Sequence, residues 1–468
     1  MKNKKRTIKM IILLVAVIII GVLLTIAIFK NLDFIEDYLF TLSNETKYVV
    51  SITLILIPVL IIILIISNLK NKKNNQIEQQ IIMPSNVKTI KEEVMQENES
   101  ESKEEETQGK TRFYQLNQID ERHKSYIRGT YEEKASLEEI CNNFRNFAAN
   151  KLKLYYDILD IRRFIASLSV THLLILQGMS GTGKTSLAYA FGEFLENTST
   201  VVPIQPMWKE RTDLIGYYNE FTKRFNETTL LQKLYEANYS KDLYITVLDE
   251  MNIARVEYYF AEFLSLLELP NPENRYLDVV SDKWESDPKL LKKGQIKLPV
   301  NMWFIGTANN DDSTFAISDK VYDRAMVLNL DTKAKPFVAP RTKRMHISVD
   351  YYQKLVNDAL KEYEITSRNQ RRIRELDEYL IEHFHITFGN RIMKQINIYV
   401  PVFVACGGDE VEAIDDILSK KVLRKLEAQN PVYIRNAAEG FCTYLDELFG
   451  NDKMKLCKEY MHRLERNA

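Results

Sequence analysis

Cysteine is nearly absent. The four in 468 residues, Cys141, Cys406, Cys442 and Cys457, form no CxxC and no Cys/His pattern, which excludes a disulfide scaffold or a zinc module. They read instead as reduced thiols, mostly buried as small apolar residues. An excess of charge of either sign is missing too: 63 basic side chains face 64 acidic ones, for a net charge of −1. The bulk composition therefore carries no signal for nucleic acid. Glycine is scarce, with 15 in the whole chain, while apolar residues make 45 % and charged residues 27 %. That profile is ordinary for a globular protein and excludes a collagen-like or wholly disordered chain. Length alone suggests two to four domains.

The average hides a strong asymmetry. Met10–Phe29 and Tyr48–Leu69 are almost unbroken apolar runs without a charged residue. Each is about 20 residues long, enough for a helix to cross a hydrocarbon core of about 30 Å. Pro58 is tolerable in a membrane helix and would kink the second one. The first run is longer than the apolar part of a signal peptide, and no small-x-small cleavage site follows it. The flanks set the orientation. Lys2, Lys4, Lys5, Arg6 and Lys9 precede the first run, and Lys70, Lys72 and Lys73 follow the second. The loop between them carries Asp33, Glu36, Asp37 and Glu45 against Lys30 and Lys47. Cationic flanks stay in the cytoplasm, so residues 1–69 are expected to form a two-helix transmembrane hairpin in the cell membrane, anchored in the lipid bilayer, with both termini inside.

Residues 70–110 are polar, rich in Glu, Lys, Asn and Gln, and read as a flexible linker with at most a short helix over Val87–Met95. Residues 111–170 form a helical lead-in: Ser136 caps a helix running through Phe147, and a second amphipathic helix covers Leu154–Leu168. His172–Gln177 then reads as a buried strand. It runs into Gly178-Met-Ser180-Gly181-Thr182-Gly183-Lys184-Thr185, and a helical pattern opens at Ser186. This is the strand–loop–helix setting of a phosphate-binding loop. Its glycines let backbone amides turn towards phosphates, and the helix N-terminus favours the anion. Lys184 is expected to reach the β/γ-phosphates and the Thr185 hydroxyl to ligate Mg²⁺.

Leu243–Leu248 is a β-branched apolar strand ending in Asp249 and Glu250. A carboxylate at that tip can hold the Mg²⁺ shell, which gives Asp249 its role, and Glu250 would polarise the attacking water as general base. A third strand, Met302–Thr307, ends in Ala308-Asn309-Asn310, where the Asn309 amide could orient that water. After Asp331 the pattern becomes helical. Lys420, Lys421, Arg424 and Lys425 make one helix basic, which reads as a solvated face.

These segments together resemble the AAA+ ATPases, and within them the McrB-like, dynein-related branch, over roughly Leu154–Leu426. The resemblance rests on LLILQGMSGTGKTSLAYAF, VVPIQPMWKERTDLIGYYNEFTKRF, ITVLDEMNIARVEYYFAEFLSLLE and NMWFIGTANNDDSTFAISDKVYDRA. It implies an α/β P-loop domain with a parallel sheet sandwiched by helices (171–332) and a C-terminal all-helical lid (333–468). It also implies ATP with Mg²⁺ as cofactor and assembly with copies of itself as a ring, usually a hexamer. Lys184 and Thr185 resemble the Walker A pair, Asp249 and Glu250 Walker B, and Asn309 sensor 1. Arg324 falls where this branch places its arginine finger, and Arg391, in Phe388-Gly-Asn-Arg391, resembles sensor 2. Asp213–Gly216 with the aromatic stretch after it, and residues 269–298, sit where relatives insert hairpins. McrB-type proteins carry Asp-Glu-Ile-Asn-Arg and Met-Asn-Thr where this chain has Asp249-Glu-Met-Asn-Ile253 and Ala308-Asn-Asn310. That departure favours ATP, with GTP kept open. The implied function is a membrane-anchored, cytoplasm-facing ATPase that remodels or regulates a protein partner. The alternatives are a GTP-dependent defence module activating a partner nuclease and a nucleotide-gated membrane scaffold with little turnover.

Overall fold

Strand residues alternate between two cores. In β1 (Leu173–Gln177), Leu174 and Leu176 join one apolar cluster, and Leu173 and Ile175 join the other. Side chains of a strand point to opposite faces in turn, so this is a sheet buried on both sides. The computed structural model describes residues 111–125, 129–309, 314–331 and 333–467. The two apolar runs, the linker and its short helix therefore lie outside the described residues. Among the described residues, no helix is long and apolar enough to cross a membrane.

The chain enters through α1 (Gln115–Lys124), α2 (Leu137–Phe147) and α3 (Ile158–Val170). Ser136 caps α2 as expected, its hydroxyl accepting from the Glu139 amide while the Glu139 carboxylate accepts from the Ser136 amide. The second helix starts later than the Leu154 expected from its apolar spacing. A π-helical turn over Ala148–Leu152 ends at Lys153 in the left-handed region, and Asp157 then supplies the cap of α3.

After β1 come α4 (Lys184–Phe194), β2 (Thr200–Pro203), α5 (Arg211–Ile215) and the hairpin β3 (Tyr218–Asn219) with β4 (Arg224–Phe225). Next are α6 (Thr229–Ala237), β5 (Tyr244–Asp249), α7 (Val256–Tyr259) and α8 (Ala261–Glu268). A second hairpin pairs β6 (Tyr276–Asp278) with β7 (Gln295–Lys297), followed by β8 (Met302–Ala308), α9 (Asp319–Tyr322) and β9 (Met326–Asn329). Strands β2-β5-β8-β1-β9 lie in that order and all pair in parallel. Strand order and sequence order differ, so the tips of β1, β5 and β8 stand side by side, where a ligand site is expected in an open α/β sheet. Both inserts singled out in the sequence are thus hairpins, and the first exposes Phe221 completely at its turn.

The rest is an extended strap to Ile347 and then α10 (Val349–Glu362), α11 (Ser367–Phe384), α12 (Gly389–Ala405), α13 (Glu410–Lys421), α14 (Pro431–Phe449) and α15 (Lys455–Asn467). These helices share one apolar cluster with α2, α3 and α4 on one face of the sheet. α6, α8 and both hairpins cover the other. All four cysteines are free and buried. The basic run is only in part the solvated face expected: Lys425 is exposed, but the other three cations are drawn inwards. Lys421 is 6 % exposed, Lys420 pairs with buried Asp416 at 2.7 Å, and Arg424 lies over the Tyr322 ring, 3.3 Å from its centroid. Helical periodicity alone does not distinguish a basic surface from cations buried against backbone carbonyls of a neighbouring element.

Candidate nucleotide site

β1 ends at Gln177 and the chain turns through Gly178–Gly183 into α4. Gly178, Gly181 and Gly183 have φ of 142°, 76° and 95°, conformations strained for residues with a Cβ. At Gly178 space is also short: a Cβ would stand 2.5 Å from the Leu330 carbonyl oxygen. Ser180 and Gly181 are exposed at the crest of the loop, and the Thr182 hydroxyl donates to the Met179 carbonyl at 3.0 Å. Lys184 is buried, its ammonium donating to the carbonyls of Gly178 at 2.9 Å and Met179 at 2.8 Å. Ser186 lies in the first turn of α4. The Tyr156 hydroxyl donates to the Gly183 carbonyl at 3.1 Å, fixing the loop to the segment before α3. Burial pushes that phenol's pKa well up, so it stays a donor.

The strand tips bring the acids to this loop. Asp249 Oδ1 accepts from the Thr185 hydroxyl at 2.7 Å and from the Thr307 hydroxyl at 2.8 Å. Thr307 in turn accepts from the Glu250 amide at 2.8 Å. Glu250 is left-handed at φ 53°, with its residue exposed beyond the end of β5. A non-glycine residue held there stores roughly 1–3 kcal/mol, and such strain concentrates at functional sites. Thr185 and Asp249 present an alcohol and a carboxylate oxygen in contact. Two hard oxygen donors of this kind fit Mg²⁺, which completes its shell with water and phosphate oxygens.

Asn309 follows β8. Its carbonyl accepts from Asn252 Nδ2 at 2.9 Å and from the Thr314 hydroxyl at 3.1 Å. Asn252 is 5 % exposed and its backbone carbonyl accepts from the Phe315 amide at 2.8 Å. It therefore ties the turn after β5 to the segment after β8 from both its side chain and its backbone.

The two arginines converge on one carboxylate. Arg324, just past α9, donates from Nε to Glu268 at 2.8 Å and from Nη1 to the Lys320 carbonyl at 2.8 Å. Arg391, in the first turn of α12, pairs with the other oxygen of Glu268. Local pairing of Arg324 with Asp319 or Asp323 is not what forms. Among the described residues the hydrogen-bond partner of Arg391 is Glu268, so the structure joins it to Arg324 and not to the phosphate-binding loop. Thr185, Asp249 and, through Thr307, the Glu250 amide are brought together, with Lys184 beside Thr185 at the start of α4. Tyr156, Asn252, Thr307 and Glu268 were missed, since a tyrosine before a helix or a threonine inside a strand carries no motif.

A strand–glycine loop–helix unit in one parallel sheet with an acid-tipped strand, one strand removed, defines a P-loop α/β nucleotide-binding fold with a helical C-terminal region. Residues 173–325 match the family model described as AAA domain (dynein-related subfamily), a span that takes in every site residue named above except Tyr156 and Arg391. Among solved structures, a candidate ATPase from Cytophaga hutchinsonii is 14 % identical, with 74 % of this chain and 97 % of that one covered at a TM-score of 0.42. A full-length MCM homolog from Methanopyrus kandleri is 12 % identical over 60 % of this chain and 58 % of that one, at a TM-score of 0.33. No curated protein matches.

Proposed function

We propose that this protein is an AAA+ ATPase that hydrolyses ATP with Mg²⁺, acts as a ring of identical subunits, and remodels or regulates a protein partner. Its catalytic body faces the cytoplasm and is held at the cell membrane by the two apolar runs of residues 1–69. The observation that carries the reading is Asp249, which receives the hydroxyls of Thr185 and Thr307 on one oxygen beside the phosphate-binding loop. Chain order scatters these residues, and a Mg²⁺-nucleotide site beside the loop accounts for their meeting.

In that reading, α4 and the loop amides hold the phosphates and Lys184 exchanges its two carbonyls for phosphate oxygens. Mg²⁺ between Thr185 and Asp249 would neutralise charge on the leaving phosphate. Glu250 takes a proton from the attacking water, Asn309 orients that water, and Arg324 offers its guanidinium to the γ-phosphate of a neighbouring subunit. The residues at 251–253 and 308–310 support ATP over GTP. The test is nucleotide turnover by the full chain in detergent. Wild-type protein is expected to hydrolyse ATP only with Mg²⁺, Lys184→Ala to lose nucleotide binding, and Glu250→Gln to bind without turnover. Wild-type hydrolysis by Glu250→Gln would refute the assignment of the base.

A further inference from the structure

Lys421 sits at the end of α13 with its ammonium buried among backbone carbonyls. It donates to Tyr322 O at 2.6 Å, Ala325 O at 2.8 Å and Asp323 O at 3.3 Å. A lysine has three N–H donors and no acceptor, so these three carbonyls use its full capacity. All three belong to the turn that carries Arg324, where the carbonyls ending α9 lack helical partners. Burial pulls the Lys421 pKa down to about 7, because the site gives up water for the charge. An apolar side chain of similar length would fill the space at lower cost but could not hold three carbonyls in place. Two further contacts from the same helical region grip this turn. Gln395 Nε2 on α12 donates to Asp323 O at 3.4 Å. Arg424 donates to Asp319 Oδ1 at 2.9 Å while lying over the Tyr322 ring.

We propose that Lys421 is a positioning residue for Arg324, tying the turn that presents its guanidinium to the C-terminal helices of the same subunit. The inference rests on the reading of Arg324 as the group that reaches a neighbour's γ-phosphate. The Lys421 hydrogen bonds go to this turn, whereas the phosphate-binding loop is held by Lys184 and Tyr156. A change in where the C-terminal helices sit is passed to the neighbour's site through this ammonium.

The test uses the full chain in detergent, with Lys421→Met, Arg324→Ala, the double variant and Lys184→Ala. Lys421→Met is expected to lower kcat by about tenfold or more while ATP affinity stays within about threefold of wild type, since a transition-state contact in trans is lost and the subunit's own loop is intact. The double variant is expected to be no slower than Arg324→Ala alone, because both changes disable one device. Mixing Lys421→Met with Lys184→Ala subunits should restore turnover above either parent, because the second supplies intact arginines to the first. Mixing Lys421→Met with Arg324→Ala should not. Lys421→Gln keeps two N–H donors and should fall between wild type and Lys421→Met, which covers the case of a Met variant that folds poorly. If Arg324→Ala keeps wild-type turnover, the reading of Arg324 fails and the proposal with it. If Arg324→Ala is inactive and Lys421→Met keeps wild-type kcat, or the two losses add, the Lys421 proposal alone is overturned.

Discussion

Replacing Thr307 by valine removes one hydroxyl and leaves the shape of the side chain almost unchanged. Thr307 is 2 % exposed, so no water replaces the lost oxygen without rearrangement. Two hydrogen bonds disappear, one donated to the Asp249 carboxylate at 2.8 Å and one accepted from the Glu250 amide at 2.8 Å. The first is charge-assisted and worth about 1.5–3 kcal/mol, and an amide left without a partner costs about 1–3 kcal/mol more if it stays buried. Glu250 is exposed, so water recovers part of the second term, and the sum is about 2–4 kcal/mol. For a folded unit of this size that corresponds to a fall in Tm of about 3–5 °C. The consequence for turnover is larger than the stability suggests. The Thr307 hydroxyl accepts from the amide of a left-handed Glu250, and on the proposed reading of Glu250 as the base its loss lets that carboxylate shift away from the attacking water. Thr307→Val is therefore expected to lower kcat by about 10–100-fold while nucleotide affinity changes little, because the loop and Lys184 are untouched. Thr307→Ser keeps the hydroxyl and should recover most of the rate. Steady-state turnover, equilibrium nucleotide binding and thermal unfolding on the three proteins decide the matter. Wild-type kcat in Thr307→Val would refute the idea that this hydroxyl positions the base.

Two other perturbations follow from the same neighbourhood. Gly178→Ala places a Cβ against the Leu330 carbonyl at a φ of 142° and is expected to lower stability by about 2 kcal/mol or more and to weaken nucleotide binding; unchanged binding and Tm would show that the loop yields there without cost. His172 is pulled down to a pKa of about 4, mainly by burial, with Nδ1 donating to the Met302 carbonyl at 3.1 Å. Its unfolded value is near 6.5, so between those pH values the unfolded chain binds the extra proton and the folded one does not. Stability is full above about pH 6.5 and falls by about 2–3 kcal/mol as pH drops to about 4. His172→Asn should flatten that part of the denaturation-versus-pH curve, and an unaltered slope would show that other groups set it.

How much of this could be read in advance follows from the range of each interaction. The phosphate-binding loop was legible because its chemistry is local: glycines, a lysine and a threonine must be consecutive to wrap one anion, and a strand and helix must flank them. Asp249 and Glu250 were legible for a related reason, since an acid pair ending a buried strand needs little context once the loop is known. The contacts that hold these groups in place were not. Thr307 meets Asp249 across 58 residues of chain, and nothing about a threonine in a run of strand residues says which neighbour its hydroxyl faces until β5 and β8 are paired. Glu268 ends α8, where the helix dipole disfavours an acid, but which cations answer it appears only when Arg391, 123 residues away, arrives on its other oxygen.

The basic stretch around Lys421 shows the limit most clearly. By pattern it is a solvated helix face. In the structure Lys421 is buried because the acceptors that receive it are backbone carbonyls, which every residue has and no sequence marks. Side-chain chemistry that acts on substrate leaves a signature in residue type, whereas side-chain chemistry that acts on the backbone does not. The residues that orient a site are therefore the ones a sequence conceals, and in this protein they occupy the tips of β8 and α13, one beside the acids and one beside the arginine turn. If both act as argued, damage to either should leave nucleotide binding intact and slow turnover. Thr307→Val would do so in the subunit that carries the change, and Lys421→Met in its neighbour.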